Sequence, residues 1–148
     1  LGPRLGLAPK DEPGRLRLLQ HQLTIADWLV EAHDTHHPIG VGLYYEDQKR
    51  EAKRRARDFR ENRLPLYLGY FEKVLGREKR FTYVHLSLFQ MMEGLDYAFP
   101  RTMRRFSFER LRKNQSAVAA RLKPYLQSKR RIAFNEQGIF RHYPELDR

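Results

Sequence analysis

From Phe81 to Pro100 the chain reads FTYVHLSLFQMMEGLDYAFP, without one basic side chain in a protein that carries 29 of them. Val84, Leu86, Leu88, Phe89, Met91, Met92 and Leu95 fall, at helical spacing, on nearly every side of the segment. A helix that is apolar all round must be enclosed by other elements, so this stretch predicts a buried central helix. The adjacent Met91 and Met92 are core filler on this reading, suited by their flexible thioethers to irregular gaps. Thr82 has the chemistry of the N-cap, with its hydroxyl aimed at a backbone N–H one turn on. Phe81 and Leu86 stand at the two positions of a hydrophobic staple. The position that would complete a capping box with an acid holds His85 instead. A neutral imidazole lacks the charge and a charged one opposes the helix dipole, at a cost on the order of 0.5–2 kcal/mol.

Other helices assemble around that one. Leu16, Leu19, Leu23, Ala26 and Val30 repeat at three and four residues, and Leu18, Ile25 and Leu29 widen the arc. Asp11, Glu12 and Pro13 are start signals, and the periodicity fades near His33. An apolar face this wide needs cover from two neighbours. Residues 46–63 form a second helix with a narrow stripe of Ala52, Ala56 and Phe59, and the pattern resumes after Pro65, which should kink it. Gly76 marks its end. A shorter helix runs from about Phe108 to Leu122, Pro124 opens a last turn, and residues 129–148 read as an extended strap. Glu93 and Asp96, three apart on the central helix, read as core hydrogen-bonding groups, and Phe106 and Phe108 as core aromatics.

The composition excludes several classes of function. No cysteine is present, which rules out disulfides and thiolate zinc sites and agrees with a reduced compartment, mitochondrion or cytoplasm. No apolar run reaches the roughly 18 residues of a membrane span. The opening LGPRLGLAPK lacks both a signal-peptide core and a Met, so the chain is expected to be processed or to be the ordered part of something longer. The net charge of +11 is uneven: residues 47–80 hold twelve bases and six acids, residues 101–148 thirteen bases and four acids. Two basic blocks flanking an uncharged core point to a polyanion, with an RNA backbone as the candidate. The candidate contacts are Arg50, Lys53 and Arg57 in the first block and Arg101, Arg104, Arg105, Arg112 and Lys113 in the second. The competing reading is a solvated face with local pairs such as Glu51–Arg55.

HDTHHP, residues 33–38, packs three histidines and an aspartate into five positions. Zinc needs at least three converging ligands. The helix end and Pro38 argue against convergence, and His33 suits the negative end of a helix. The segment is therefore read as a helix end, with no metal expected.

Four stretches carry a resemblance. LGPRLGLAPKDEPGR is similar to the linker and first helix of the C-terminal helical domain of glutathione transferases. TIADWLVEAHDTHHPIGVGLYYEDQK resembles the following loop region in a fungal, algal and bacterial subgroup. FTYVHLSLFQ resembles the capped core helix of the family, usually F-T-x-x-D, and RRIAFNEQGIFRHYPELD its tail. The resemblance covers nearly the whole chain and implies an all-α bundle of about five helices with a C-terminal strap. It forms a single domain over residues 1–148, in which 1–10 are linker and 129–148 tail.

In that family the glutathione site and the activating Tyr, Ser or Cys lie in an upstream thioredoxin-like domain, and the helical domain lends one wall to the electrophile pocket. The chain alone is thus expected to be non-catalytic and without cofactor, glutathione entering only through that upstream domain. Two functions follow. One is a structural or docking component of a larger assembly of protein partners, RNA-containing, such as an organellar ribosome. The other is the C-terminal domain of an ordinary transferase, which would act as a homodimer.

Overall fold

In the computed structural model, which describes residues 1–135 and 137–148, no strand occurs among the described residues. Asp11 accepts a 2.7 Å bond from the Gly14 N–H and opens α1, Glu12–Asp34, with Pro13 in its first turn. The side of α1 that packs inward carries Leu18, Ile25, Trp28 and Ala32. Trp28 is fully buried and stacks on Tyr67 at 5.2 Å and Phe71 at 5.7 Å between ring centroids. Leu16, Leu19, Leu23 and Val30, expected to form the core face, stand outward at 47–59% exposure, and Ala26 is exposed with them. One wide apolar arc was expected to be covered, and the chain covers only the side that carries Leu18, Ile25, Trp28 and Ala32.

A short 3-10 turn, Tyr45–Gln48, leads into α2, Lys49–Asp58. A π turn, Phe59–Arg63, then joins it to α3, Leu64–Arg77, with the Leu64 N–H bonded to the Phe59 carbonyl. The wider turn is how the backbone absorbs Pro65, which has no N–H to give. Ala52, Ala56 and Phe59 are fully buried, as the narrow stripe predicts. Arg60 is buried, and its guanidinium Nη1 donates to the Arg148 carbonyl at 2.5 Å. Gly76 does not end α3 in a left-handed turn. It lies within the last turn, where a side chain would press on Arg110.

The central helix is α4, Tyr83–Ala98, and Val84, Leu88, Phe89, Met91, Met92 and Leu95 are all buried in it. Its first N–H, on Tyr83, is satisfied by the Leu7 carbonyl at 3.0 Å, so the 1–10 segment folds back over the helix start. The cap corrects one expectation. His85 Nδ1 accepts a 3.1 Å bond from the Thr82 backbone N–H, with the Thr82 hydroxyl also 3.1 Å away. Burial lowers the His85 pKa, Arg121 adding to the effect and Glu78 opposing it, which keeps Nδ1 an acceptor. A neutral imidazole therefore supplies the bond of the missing acid, though not its charge. Phe81 lies 5.2 Å from the His85 ring and under the Arg121 guanidinium, while Leu86 stays half-buried. His85→Ala is expected to cost about 1 kcal/mol. His85→Asp should change stability by less than about 1 kcal/mol, since only the dipole term is gained and the ring contact is lost. Denaturant midpoints check both.

Past Pro100 come a single turn α5, Pro100–Met103, then α6, Glu109–Arg121, and a last turn α7, Lys123–Leu126. Glu93 and Asp96 bond Gln115, and Asp96 holds Arg112 through two bonds of 2.6 and 2.9 Å, so both acids tie α4 to α6. Phe106 and Phe108 are half-buried against the core. Glu136, inside the expected strap, lies outside the described residues. On either side of it Phe134 stacks on Tyr97 at 5.2 Å, Phe140 is buried against α4, and Tyr143 stacks on Tyr45 at 3.8 Å. The buried Asp147 accepts from the Arg101 and Thr102 N–H groups and the Thr102 hydroxyl, which caps α5.

Candidate functional site

The eight basic candidates do not present a row of unanswered charge. Arg50 faces Glu51 at 3.2 Å, Arg57 faces Glu61 at 3.5 Å, and Lys113 faces Glu109 at 2.6 Å. Arg112 is held by Asp96, and Arg104 donates to the Pro100 carbonyl at 3.1 Å. Lys53, Arg101 and Arg105 have no ion pair among the described residues. Glu51 pairs with Arg50 rather than with Arg55, because Arg55 turns to Asp58 and to Glu31 of α1.

Glu31 is the busiest carboxylate. It accepts from Arg63 at 2.7 and 2.9 Å, from Tyr67 at 2.7 Å and from Arg55 at 3.3 Å. The Arg63 bond lowers its pKa first and Tyr67 adds to this, while burial together with the same carboxylate pushes the Tyr67 phenol up to about 12. The network joins α1 to the α2–α3 rod.

A further basic surface lies outside the eight candidates, with four of its five bases drawn from the first basic block and one from α1. A cleft of about 610 Å³ between α1 and the end of α3 is lined by Arg17, Lys73, Arg77, Lys79 and Arg80, with Glu78 the acid among them. None of those five bases has an ion pair among the described residues. His21 sits in the same cleft with Nδ1 2.8 Å from the Tyr70 hydroxyl, and burial lowers its pKa.

The HDTHHP segment ends α1 as expected, but Pro38 does not keep the rings apart. One nitrogen from each of His33, His36 and His37 lies within 4.8 Å of the others. Ring centroids are 4.7–5.0 Å apart. His36 Nε2 bonds the Ile139 carbonyl at 2.9 Å, which leaves Nδ1 as an acceptor facing His37 Nδ1 at 2.5 Å. Both rings are buried, and burial lowers the His36 pKa to about 4 and lowers that of His37 as well.

The outward stripe of α1 completes the list. Leu16, Leu19, Leu23 and Val30 lie three to seven residues apart along a 23-residue helix, which aligns them on one face. These four side chains are the large apolar groups that α1 leaves exposed along that face.

Comparison with known proteins agrees with this architecture. The family model described as glutathione S-transferase, C-terminal domain, matches residues 33–129, which span α2, α3, α4 and α6 in full. No curated protein matches the chain. The match extends over well more than half of the sequence and includes the capped, buried α4 and the α2–α3 rod with its π turn. The chain belongs to the glutathione S-transferase family, of which it is a C-terminal helical domain.

Proposed function

We propose that this domain is the second half of a glutathione transferase, lending one wall of the electrophile pocket to a thioredoxin-like domain and meeting a further protein surface through α1. The observation that carries the reading is the α1 stripe, four large aliphatic side chains at 47–59% exposure on a helix whose other face is fully packed. Such a face is covered in the working protein. Family membership adds the expectation of a glutathione-binding partner domain. The paired state of Arg50, Arg57, Arg112 and Lys113 counts against a phosphate-binding surface at those positions.

Glutathione resin and a chlorodinitrobenzene-type substrate test the reading. The 148-residue chain alone should neither bind nor conjugate, and the native protein should do both. Turnover by the isolated chain would overturn it. Leu19→Glu with Leu23→Glu should weaken association of the native protein at least about tenfold in sedimentation. Its helical signal should be unchanged, since exposed positions shift stability by about 0.5 kcal/mol or less.

A docking role in an RNA-containing assembly, such as an organellar ribosome, is the second reading, and the α1–α3 cleft favours it. Its five bases have no ion pair among the described residues and would meet phosphate directly. RNA affinity should then fall with salt by roughly 0.7 to 0.9 log units per log unit for each phosphate neutralised. Reversing Arg77, Lys79 and Arg80 should flatten that slope, whereas reversing the paired Lys113 should not. No RNA binding at about 100 mM salt would remove this reading.

A further inference from the structure

We infer that His33, His36 and His37 form a binding site for a zinc-class divalent cation, three imidazoles at the end of α1 with a fourth position open to solvent. The inference is independent of the transferase reading and begins from local backbone geometry. His33 occupies the last turn of α1, and the chain curls under it in a tight turn. The His36 and His37 N–H groups bond the His33 carbonyl at 3.1 and 3.3 Å, and the Thr35 hydroxyl bonds the Ala32 carbonyl at 2.7 Å. The turn brings the three side chains to one side, which a helix continuing through position 37 would not do for adjacent residues.

The donor set suits one class of ion. Imidazole nitrogen without thiolate or carboxylate favours zinc, nickel, copper or cobalt over calcium or magnesium. Zinc–nitrogen bonds of about 2.0–2.1 Å place tetrahedral ligand atoms about 3.3 Å apart. Here one pair stands at 2.5 Å and the whole set within 4.8 Å. Ligation therefore requires the first separation to widen and the longer ones to close. His36 already makes the bond that metal-bound histidines make with their remote nitrogen, Nε2–H to the Ile139 carbonyl at 2.9 Å, which fixes Nδ1 as the ligand atom. Among the described residues that carbonyl is the one hydrogen-bond partner the three rings have outside their own cluster. The Asp34 carboxylate stands 3.8 Å from His33 Nδ1, close enough to add negative charge but too far to bond.

Access comes from a cleft of about 370 Å³ lined by His37, Tyr45, Glu46, Arg141 and Tyr143. Arg141 opposes a bare cation there, as its charge does a protonated His37. The same guanidinium suits an anion or hydroxide at the open position of the metal.

The test uses the untagged 148-residue chain, stripped with EDTA and titrated with Zn2+ against a chromophoric chelator. One equivalent should bind, and Co2+ in its place should give the intense visible absorption of a tetrahedral site. Each of His33→Gln, His36→Gln and His37→Gln should weaken binding at least about tenfold. His21→Gln should leave it unchanged. His33→Gln decides the case, because His33 is only partly buried and makes no side-chain hydrogen bond among the described residues, so its loss should leave the fold intact by circular dichroism. Absence of stoichiometric Zn2+ uptake, or a His33→Gln variant that binds as tightly as the parent, overturns the assignment.

Discussion

Gly94→Ala is expected to destabilise the domain by about 1–3 kcal/mol and to loosen its C-terminal strap. Helix propensity alone gives the opposite sign, since Ala in place of Gly within a helix gains about 0.8–1 kcal/mol. The packing term is larger. A β-carbon at position 94 would meet three carbons of the Phe140 ring within 2.5 Å, and a ring cannot bend away as the tip of a lysine can. Phe140 is 6% exposed and is the point at which the strap lies on α4. Displacing it returns an aromatic side chain to water, a loss on the order of 1.5–3 kcal/mol. The denaturation midpoint should fall, and limited proteolysis should reach the strap near residues 130–142 before it cuts the bundle. A variant as stable as the parent would show that Phe140 does not press on α4.

Acid should unfold the metal-free domain from the histidine side. His36 is pushed to about 4 by burial, with His33, His37 and Arg141 adding to the effect. Its ordinary value in the unfolded chain is near 6.5, so below that pH the unfolded state binds a proton that the fold refuses. A depressed histidine leaves stability intact above about 6.5 and removes it progressively down to about 4, by at most about 3 kcal/mol. His21, His37 and His85, all lowered mainly by burial, act with the same sign. Glu145, held at about 2 first by its bond to Lys49, adds a carboxylate contribution that is lost as pH falls through the acid range. Measured in EDTA, stability should decline between pH 6.5 and 4, and His36→Gln should flatten that decline. A flat profile in the parent would mean that His36 is solvated.

The elements were legible where apolar periodicity and enclosure coincide. Residues 81–100 could only be a buried helix, and α4 buries all but one of the seven apolar residues that said so. Pro65 signalled an interruption, which takes the form of the π turn just before it, and the strap followed from apolar residues without period. The orientation of α1 was not legible. Leu16, Leu19, Leu23 and Val30 make as good a stripe as Leu18, Ile25, Trp28 and Ala32, and only packing against α4 and the α2–α3 rod chooses between them. The basic cleft was hidden for another reason. Arg17 lies in an acid-rich segment, and residues 77–80 fall in a block whose charge is half cancelled along the sequence, so only the fold gathers them. The helix end at HDTHHP was legible, but the convergence of its rings was not, because Pro38 suggested an extended exit, whereas the turn forms one residue before it.

The intact mass of the native protein tests the central claim most directly. If this chain is the helical half of a glutathione transferase, the native polypeptide must exceed the 17.8 kDa of residues 1–148 by a thioredoxin-like domain. A native polypeptide of 17.8 kDa would contradict the account and leave the helical domain to act without a catalytic partner in its own chain.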